Sequence, residues 1–179
     1  MKVIETKLKG CKIIKPRVYK DDRGLFFETF QAQRYKANAH IDNMFVQDNF
    51  STSVKGVLRG LHYQKTKPQG KLVRVSRGKV FDVAVDIRRH SSSYGRWHAS
   101  ELSDENKLQL WIPPGFAHGF LVLSNEADFE YKCTQYYDPD DEGTILWNDR
   151  DLKIDWPKLD DIIISDKDAK GSGFKDLNV

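Results

Sequence analysis

Cysteine is scarce in this chain: the 179 residues include 2, Cys11 and Cys133, far apart and with neither a C-x-x-C nor a histidine pair at zinc spacing. That excludes a disulfide-built scaffold and a zinc finger, and free thiols in a reducing compartment are expected instead. No apolar run approaches the ~20 residues that span a bilayer. An excess of one charge is equally lacking, because 29 Lys and Arg stand against 26 Asp and Glu, a formal +3. Such a small, dispersed excess excludes a dedicated nucleic-acid surface and leaves room for discrete anionic groups on a small ligand. The first residues place an acid, Glu5, ahead of any apolar stretch. Neither a secretory signal nor an Arg-rich transit peptide is expected there, and the expected location is cytoplasmic. No repeat, low-complexity tract or linker divides the chain, whose length suits a single domain over 1–179.

What the chain does have is short alternating segments separated by turn residues, the period of half-buried antiparallel strands. The clearest is 81–87, where Phe81, Val83, Val85 and Ile87 share one face and Asp82, Ala84 and Asp86 the other. A strand at 72–75 precedes it, and Arg77-Gly78 reads as the turn of a hairpin between the two. Further strands are expected at 12–18, 24–30, 45–51, 57–64, 97–102, 108–112, 119–123 and 128–137. One helix is expected at 31–40, from good helix formers. Many short strands with Gly and Pro punctuation predict a sandwich or barrel, and 162–179 reads as a mostly irregular tail lying over the body.

Two clusters carry polar groups that a plain barrel does not need. In 56–64, His62 and Gln64 fall on one strand face; in 112–120, a Pro-Pro-Gly turn delivers His118 to a strand start. Together they resemble the two half-motifs of the cupin superfamily, a jelly-roll barrel whose motifs supply three His and a Glu to one metal. Here Gln64 stands where the second His would be and Lys71 where the Glu would be. An ammonium has no lone pair to offer and repels a cation, so no metal site is expected. Lys71 itself reads either as an ordinary solvated lysine or as a fixed charge in the metal's place that stabilises an oxyanion.

The stretches 45–49, 56–64, 69–75, 82–88, 109–113, 115–120 and 165–168, running through nearly the whole chain, resemble the dTDP-4-dehydrorhamnose 3,5-epimerase family. The resemblance implies a cupin-like jelly-roll β-barrel with a short helix and a C-terminal cover. It implies a cofactor-free isomerase that inverts C3 and C5 of a dTDP-4-keto-6-deoxyhexose, and a homodimer, with N-terminal strands completing the partner's sheet. By the same resemblance His62 is the base, Asp168 its orienting partner, Tyr131 the acid and Lys71 the enolate stabiliser. Substrate contacts fall to Arg23, Phe26, Glu28, Gln47, Asn49, Arg59, His118, Tyr137, Glu142 and Lys167, with Arg23 or Phe26 reaching the other subunit's pocket. Inversion of C3 alone, a ketoisomerase or a non-catalytic sugar-nucleotide binder remain open alternatives. Arg59 and His62 stand three apart, so both serve one pocket only if the strand bulges, and Gly60 is the place for that bulge.

Overall fold

The computed structural model describes residues 1–177. The described residues hold thirteen strands: β1 (Lys2–Glu5), β2 (Lys12–Lys15), β3 (Val18–Asp21), β4 (Gly24–Phe27), β5 (Gln47–Val54), β6 (Leu58–Gln64), β7 (Lys71–Arg77), β8 (Lys79–Asp86), β9 (Trp97–Ser103), β10 (Gln109–Ile112), β11 (Phe116–Val122), β12 (Glu126–Cys133) and β13 (Glu142–Thr144). Helix α1 (Ala32–Ala39) follows β4, and helix α2 (Asp166–Ala169) lies near the end. No helix among the described residues is long and apolar enough to cross a membrane.

The strands form a six-stranded sheet in the order β1-β2-β10-β7-β12-β5 and a five-stranded sheet in the order β13-β6-β11-β8-β9, while β3 and β4 pair only with each other. This is a jelly-roll arrangement of two facing sheets, and they do not close into a barrel. The expected hairpin of 72–75 with 81–87 does not form: β7 pairs with β10 and β12, and β8 with β11 and β9. Gly78 instead turns the chain from one sheet into the other. Its φ is +77°, and a Cβ there would lie 2.1 Å from the Glu126 carbonyl oxygen, so the corner is too tight for a side chain.

Three apolar clusters hold the layers. Val73, Val75, Leu110 and Phe129 from one sheet meet Val80, Ala84, Phe116 and Phe120 from the other. Outside the five-stranded sheet, Leu58, Leu61, Val83, Val85 and Leu121 pack under Ile145, Leu152, Trp156 and Leu177 of the C-terminal segment. Outside the six-stranded sheet, Tyr35 and Ala39 of α1 cover Ile14, Leu72 and Trp111. The alternation read in 81–87 is therefore right in phase, but the strand is buried on both faces. Its apolar side faces the C-terminal cover, and Asp82 and Asp86, each 0% exposed, face inward.

Boundaries differ where the chain has a local reason to stop. Pro16 divides the expected 12–18 strand into β2 and β3, and the expected 24–30 strand ends at Phe27. The helix is as expected, with the Gln31 side chain capping its start and His40 in the left-handed conformation at its end. The segment 162–177 is more ordered than a tail: Ser165 Oγ accepts the Asp168 N–H to cap α2, and Ile163 forms a parallel bridge with Val57. The last two residues of the expected tail lie outside the described residues. Strands β1 and β13 lie outside the expected strand segments.

Candidate active site

Strand β6 determines the site's geometry. Its partner β11 sets His118 opposite His62 and Phe120 opposite Arg59, so three residue steps on β6 match two on β11. The extra residue is Gly60, with φ +118°, and a Cβ there would come 2.6 Å from Gly119 Cα and 2.7 Å from the His118 carbonyl oxygen. Glycine is the residue that fits such a bulge. Its effect is to turn Arg59 and His62 to the same side. Arg59 donates from Nε and Nη2 to Ser53 Oγ on β5, at 3.2 and 3.1 Å.

The bulge also takes the Gly60 N–H out of the ladder, and that N–H donates to Asp168 Oδ2 at 3.0 Å. The other oxygen, Oδ1, lies 2.7 Å from His62 Nε2. Asp168 is 4% exposed. Burial acts to raise its pKa, but the hydrogen bonds from His62 and Gly60 prevail and hold the carboxyl below its ordinary value. A carboxylate only accepts, so in the neutral imidazole of His62 the proton sits on Nε2 and Nδ1 is the lone-pair nitrogen.

In front of His62 is a cavity of about 250 Å³ whose walls include Gln47, Asn49, Lys71, Tyr131, Tyr137 and Glu142. His62 comes from the five-stranded sheet, and Lys71 and Tyr131 from the facing one. Lys71 Nζ sits 6.0 Å from the centroid of the Tyr131 ring, and among the described residues neither the ammonium nor the phenol hydroxyl has a hydrogen-bond or ion-pair partner. Burial drives the Lys71 pKa below its ordinary value, against the pull of Cys133, Glu142 and Asp82. Burial likewise pushes the Tyr131 phenol up to about 12. At neutral pH Tyr131 therefore keeps its proton.

At the cavity rim Glu142 accepts from Tyr137 Oη at 2.9 Å and pairs with the Lys167 ammonium. Gln47 Nε2 donates to Asn49 Oδ1 at 3.0 Å, and Gln47 Oε1 accepts the Tyr137 N–H at 2.8 Å. His118 lies deeper, 6% exposed, with Nε2 2.8 Å from Asp82 Oδ2. Gln64 donates to the carbonyls of Lys67 and Tyr136 and accepts from the Asp138 N–H. Where a metal-binding cupin has a ligand, this side chain fastens a loop. Among the described residues no three His, Cys, Asp or Glu side chains are grouped to hold a metal ion.

Eleven of the expected site residues thus gather at or behind one cavity, and three do not. Arg23, Phe26 and Glu28 belong to the β3–β4 arm and its exit: Arg23 is tied to Asp21, Glu28 to Arg34, and Phe26 is 72% exposed. Sequence reasoning passed over Ser53, Ser165 and Asp82, which hold Arg59, α2 and His118. Of these, Asp82 alone carried a signal, as an acid alternating with apolar residues in the strongest strand pattern of the chain.

A family model described as dTDP-4-dehydrorhamnose 3,5-epimerase matches residues 5–176. The chain belongs to that family. A family member from Methanothermobacter thermautotrophicus is 56% identical over 167 residues, covering 92% of this chain and 90% of its own. One from Pseudomonas aeruginosa is 51% identical, covering 99% and 98%. The crystal structure of the Legionella pneumophila dTDP-6-deoxy-D-glucose-3,5-epimerase, in complex with dTDP-4-keto-L-rhamnose, superposes with a TM-score of 0.97 at 54% identity, covering 99% of this chain and 94% of that one. The family match extends through the strand bulge, the cavity and the C-terminal segment alike.

Proposed function

We propose that this chain inverts C3 and C5 of dTDP-4-dehydro-6-deoxy-D-glucose to give dTDP-4-dehydro-L-rhamnose, without a cofactor and in the cytoplasm. The observation that carries this reading is a carboxylate-bound imidazole on one wall of a cavity, facing a phenol and an ammonium on the other that have no partner among the described residues.

His62 Nδ1 takes the proton from C3, and the C–H electron pair moves into the ring as the C4 carbonyl becomes an enolate. Asp168 stabilises the imidazolium that forms. The Lys71 ammonium faces the enolate oxygen, where a preorganised charge is worth more than in water. The Tyr131 hydroxyl then gives its proton to C3 from the opposite face, because a carbanion is a far stronger base than a phenolate. Once His62 has released its proton and Tyr131 has regained one, the same steps invert C5. Arg59 and Lys167 supply cations for the diphosphate, the guanidinium as a fork. Gln47, Asn49, His118, Tyr137 and Glu142 provide further polar contacts.

The same reading makes the enzyme a homodimer. The β3–β4 arm stands outside both sheets and exposes Tyr19, Leu25 and Phe26 to solvent, a cost that burial against a second copy removes. In that dimer Arg23, Phe26 and Glu28 complete the partner's cavity. Mixing inactive Arg23→Ala and His62→Ala chains then regenerates intact sites in the hybrids; a mixture as inactive as its components removes the arm from the site.

The deciding experiment is NMR of the purified, chelator-treated protein with the 4-keto sugar nucleotide in heavy water. Deuterium at both C3 and C5, and a rhamnose-configured product once a reductase and NADPH are added, is the expected result. Exchange at C3 alone makes the enzyme a single epimerase, and no exchange overturns the reading.

A further inference from the structure

The strongest unexplained feature lies behind the cavity. Asp82 is 0% exposed on the inward face of β8, between Val80 and Ala84 of the inter-sheet core. Its Oδ2 meets His118, but its Oδ1 is a buried side-chain polar atom with no hydrogen-bond partner among the described residues. Packing alone favours an aliphatic residue at such a position, because a buried acceptor left unpaired is costly. The position therefore calls for a reason in chemistry.

The surrounding groups supply one. From β11, His118 faces Asp82, with the Phe129 ring stacked on the imidazole at 5.9 Å and 23°. From β9 come His98 and Ser100, bonded to each other at 2.9 Å, and the Cys11 thiol, which burial pushes up to about 12 and so keeps neutral, lies within electrostatic reach. From β7 comes Lys71, whose charge acts on His118 and is acted on by Asp82. Lys71 itself is faced by Cys133 and Tyr131 of β12, Glu142 of β13, and Asp82. Both Cys133 and Tyr131 are held neutral by burial. Glu142 is already occupied by Lys167 and Tyr137, and Asp168 by His62 and Gly60. Among the described residues the Asp82 Oδ1 is the buried side-chain polar atom left without a hydrogen-bond partner, whereas the Glu142 charge is already met by the Lys167 ammonium.

We propose that Asp82 is a positioning residue for the reaction: it fixes the His118 ring through one oxygen and, through the charge on the other, serves as the internal counter-ion that keeps the Lys71 ammonium protonated. The role in turnover rests on the epimerase reading, in which Lys71 must be charged to hold the enolate oxygen. The coupling between Asp82 and Lys71 does not.

Asp82→Asn keeps the shape and removes the charge. Without the anion Lys71 gives up its proton more readily, so the alkaline limb of the kcat profile moves to lower pH by about one unit or more. KM and the affinity for dTDP stay within about twofold, since the asparagine keeps a side-chain oxygen against the His118 ring and so holds that contact in place. An alkaline limb that does not move overturns the proposal, even if kcat falls. Lys71 is titrated independently of turnover by competitive acetylation across pH, read by mass spectrometry of its peptide. A midpoint that drops in Asp82→Asn supports the coupling even if the wild-type protein leaves the sugar nucleotide unchanged, and an unchanged midpoint overturns it. If Asp82→Asn does not fold, Lys71→Met and the double variant take its place. Lys71→Met alone leaves a bare buried anion and melts lower as pH rises, and the double variant recovers that loss; melting shifts that simply add refute the pairing.

Discussion

The two imidazole–carboxylate pairs of this protein face each other across neighbouring strands and are built from the same residue types. His62 and His118 are register partners on β6 and β11, each bonded through Nε2 to an aspartate, at 2.7 and 2.8 Å. They differ in what surrounds the bond. His62 is half-exposed on the cavity, and its carboxylate reaches it from α2, after the last strand. His118 is buried, and its carboxylate comes from the next strand of the same sheet. Burial drives the His118 pKa below the ordinary value, with Asp82 opposing and Lys71 and His62 adding to the fall. On the proposed mechanism residue type and partner do not make a general base; access of the ring nitrogen to the cavity does.

The largest test of that contrast is to remove each ring. His62→Ala is expected to cut proton exchange by roughly 10³-fold, within the range a positioned base contributes. His118→Asn, which removes a contact and not the base, should cost about tenfold. Equal losses in the deuterium assay would erase the distinction. Next in size is Gly60→Ala, which perturbs both pairs at once because the added methyl runs into Gly119 and the His118 carbonyl. A loss of roughly 3 kcal/mol is expected in denaturant unfolding, with overpacking and a positive φ both contributing. A variant of wild-type stability would mean that β6 can pair with β11 without the bulge.

The smallest effect is in the pH dependence of stability, where the two pairs part company. His118 binds its proton less readily folded than unfolded, so its contribution is present above the unfolded value of about 6.5 and is lost as pH falls below it. The Asp168 carboxyl is lowered instead, so its contribution is kept until pH falls below about 4. Melting temperatures between pH 7 and 5 should therefore sag less in His118→Asn than in the wild type, by the equivalent of about 1 kcal/mol. An unchanged sag would take His118 out of that transition.

How far the chain could be read in advance depended on how local each cause was. His62 and Gln64 on one face, the bulge at Gly60 and the phase of 81–87 follow from the two-residue period and from glycine's backbone freedom, both local. The route between sheets is not: Arg77-Gly78 has the composition of a hairpin turn, and only the packing of β7 against β10 and β12 makes it a corner. Burial is not local either, since β8 looks half-buried until the C-terminal segment is laid over it. The same distance hid Asp82 and Ser53, whose meaning lies in partners many residues away. Of the expected site residues, Arg23, Phe26 and Glu28 are the ones a single folded chain does not bring to the cavity.

Asp168 joins His62 and Gly60 from the far side of the chain, after every strand has been made. During synthesis, then, both sheets, the cavity and all of its lining groups emerge before the carboxylate that bonds His62. A ribosome-held chain stopped short of α2 has a complete vestibule and an imidazole without its anchor. On the proposed mechanism, catalytic competence therefore waits for α2, which follows both sheets in the chain, and a nick that frees α2 takes it away.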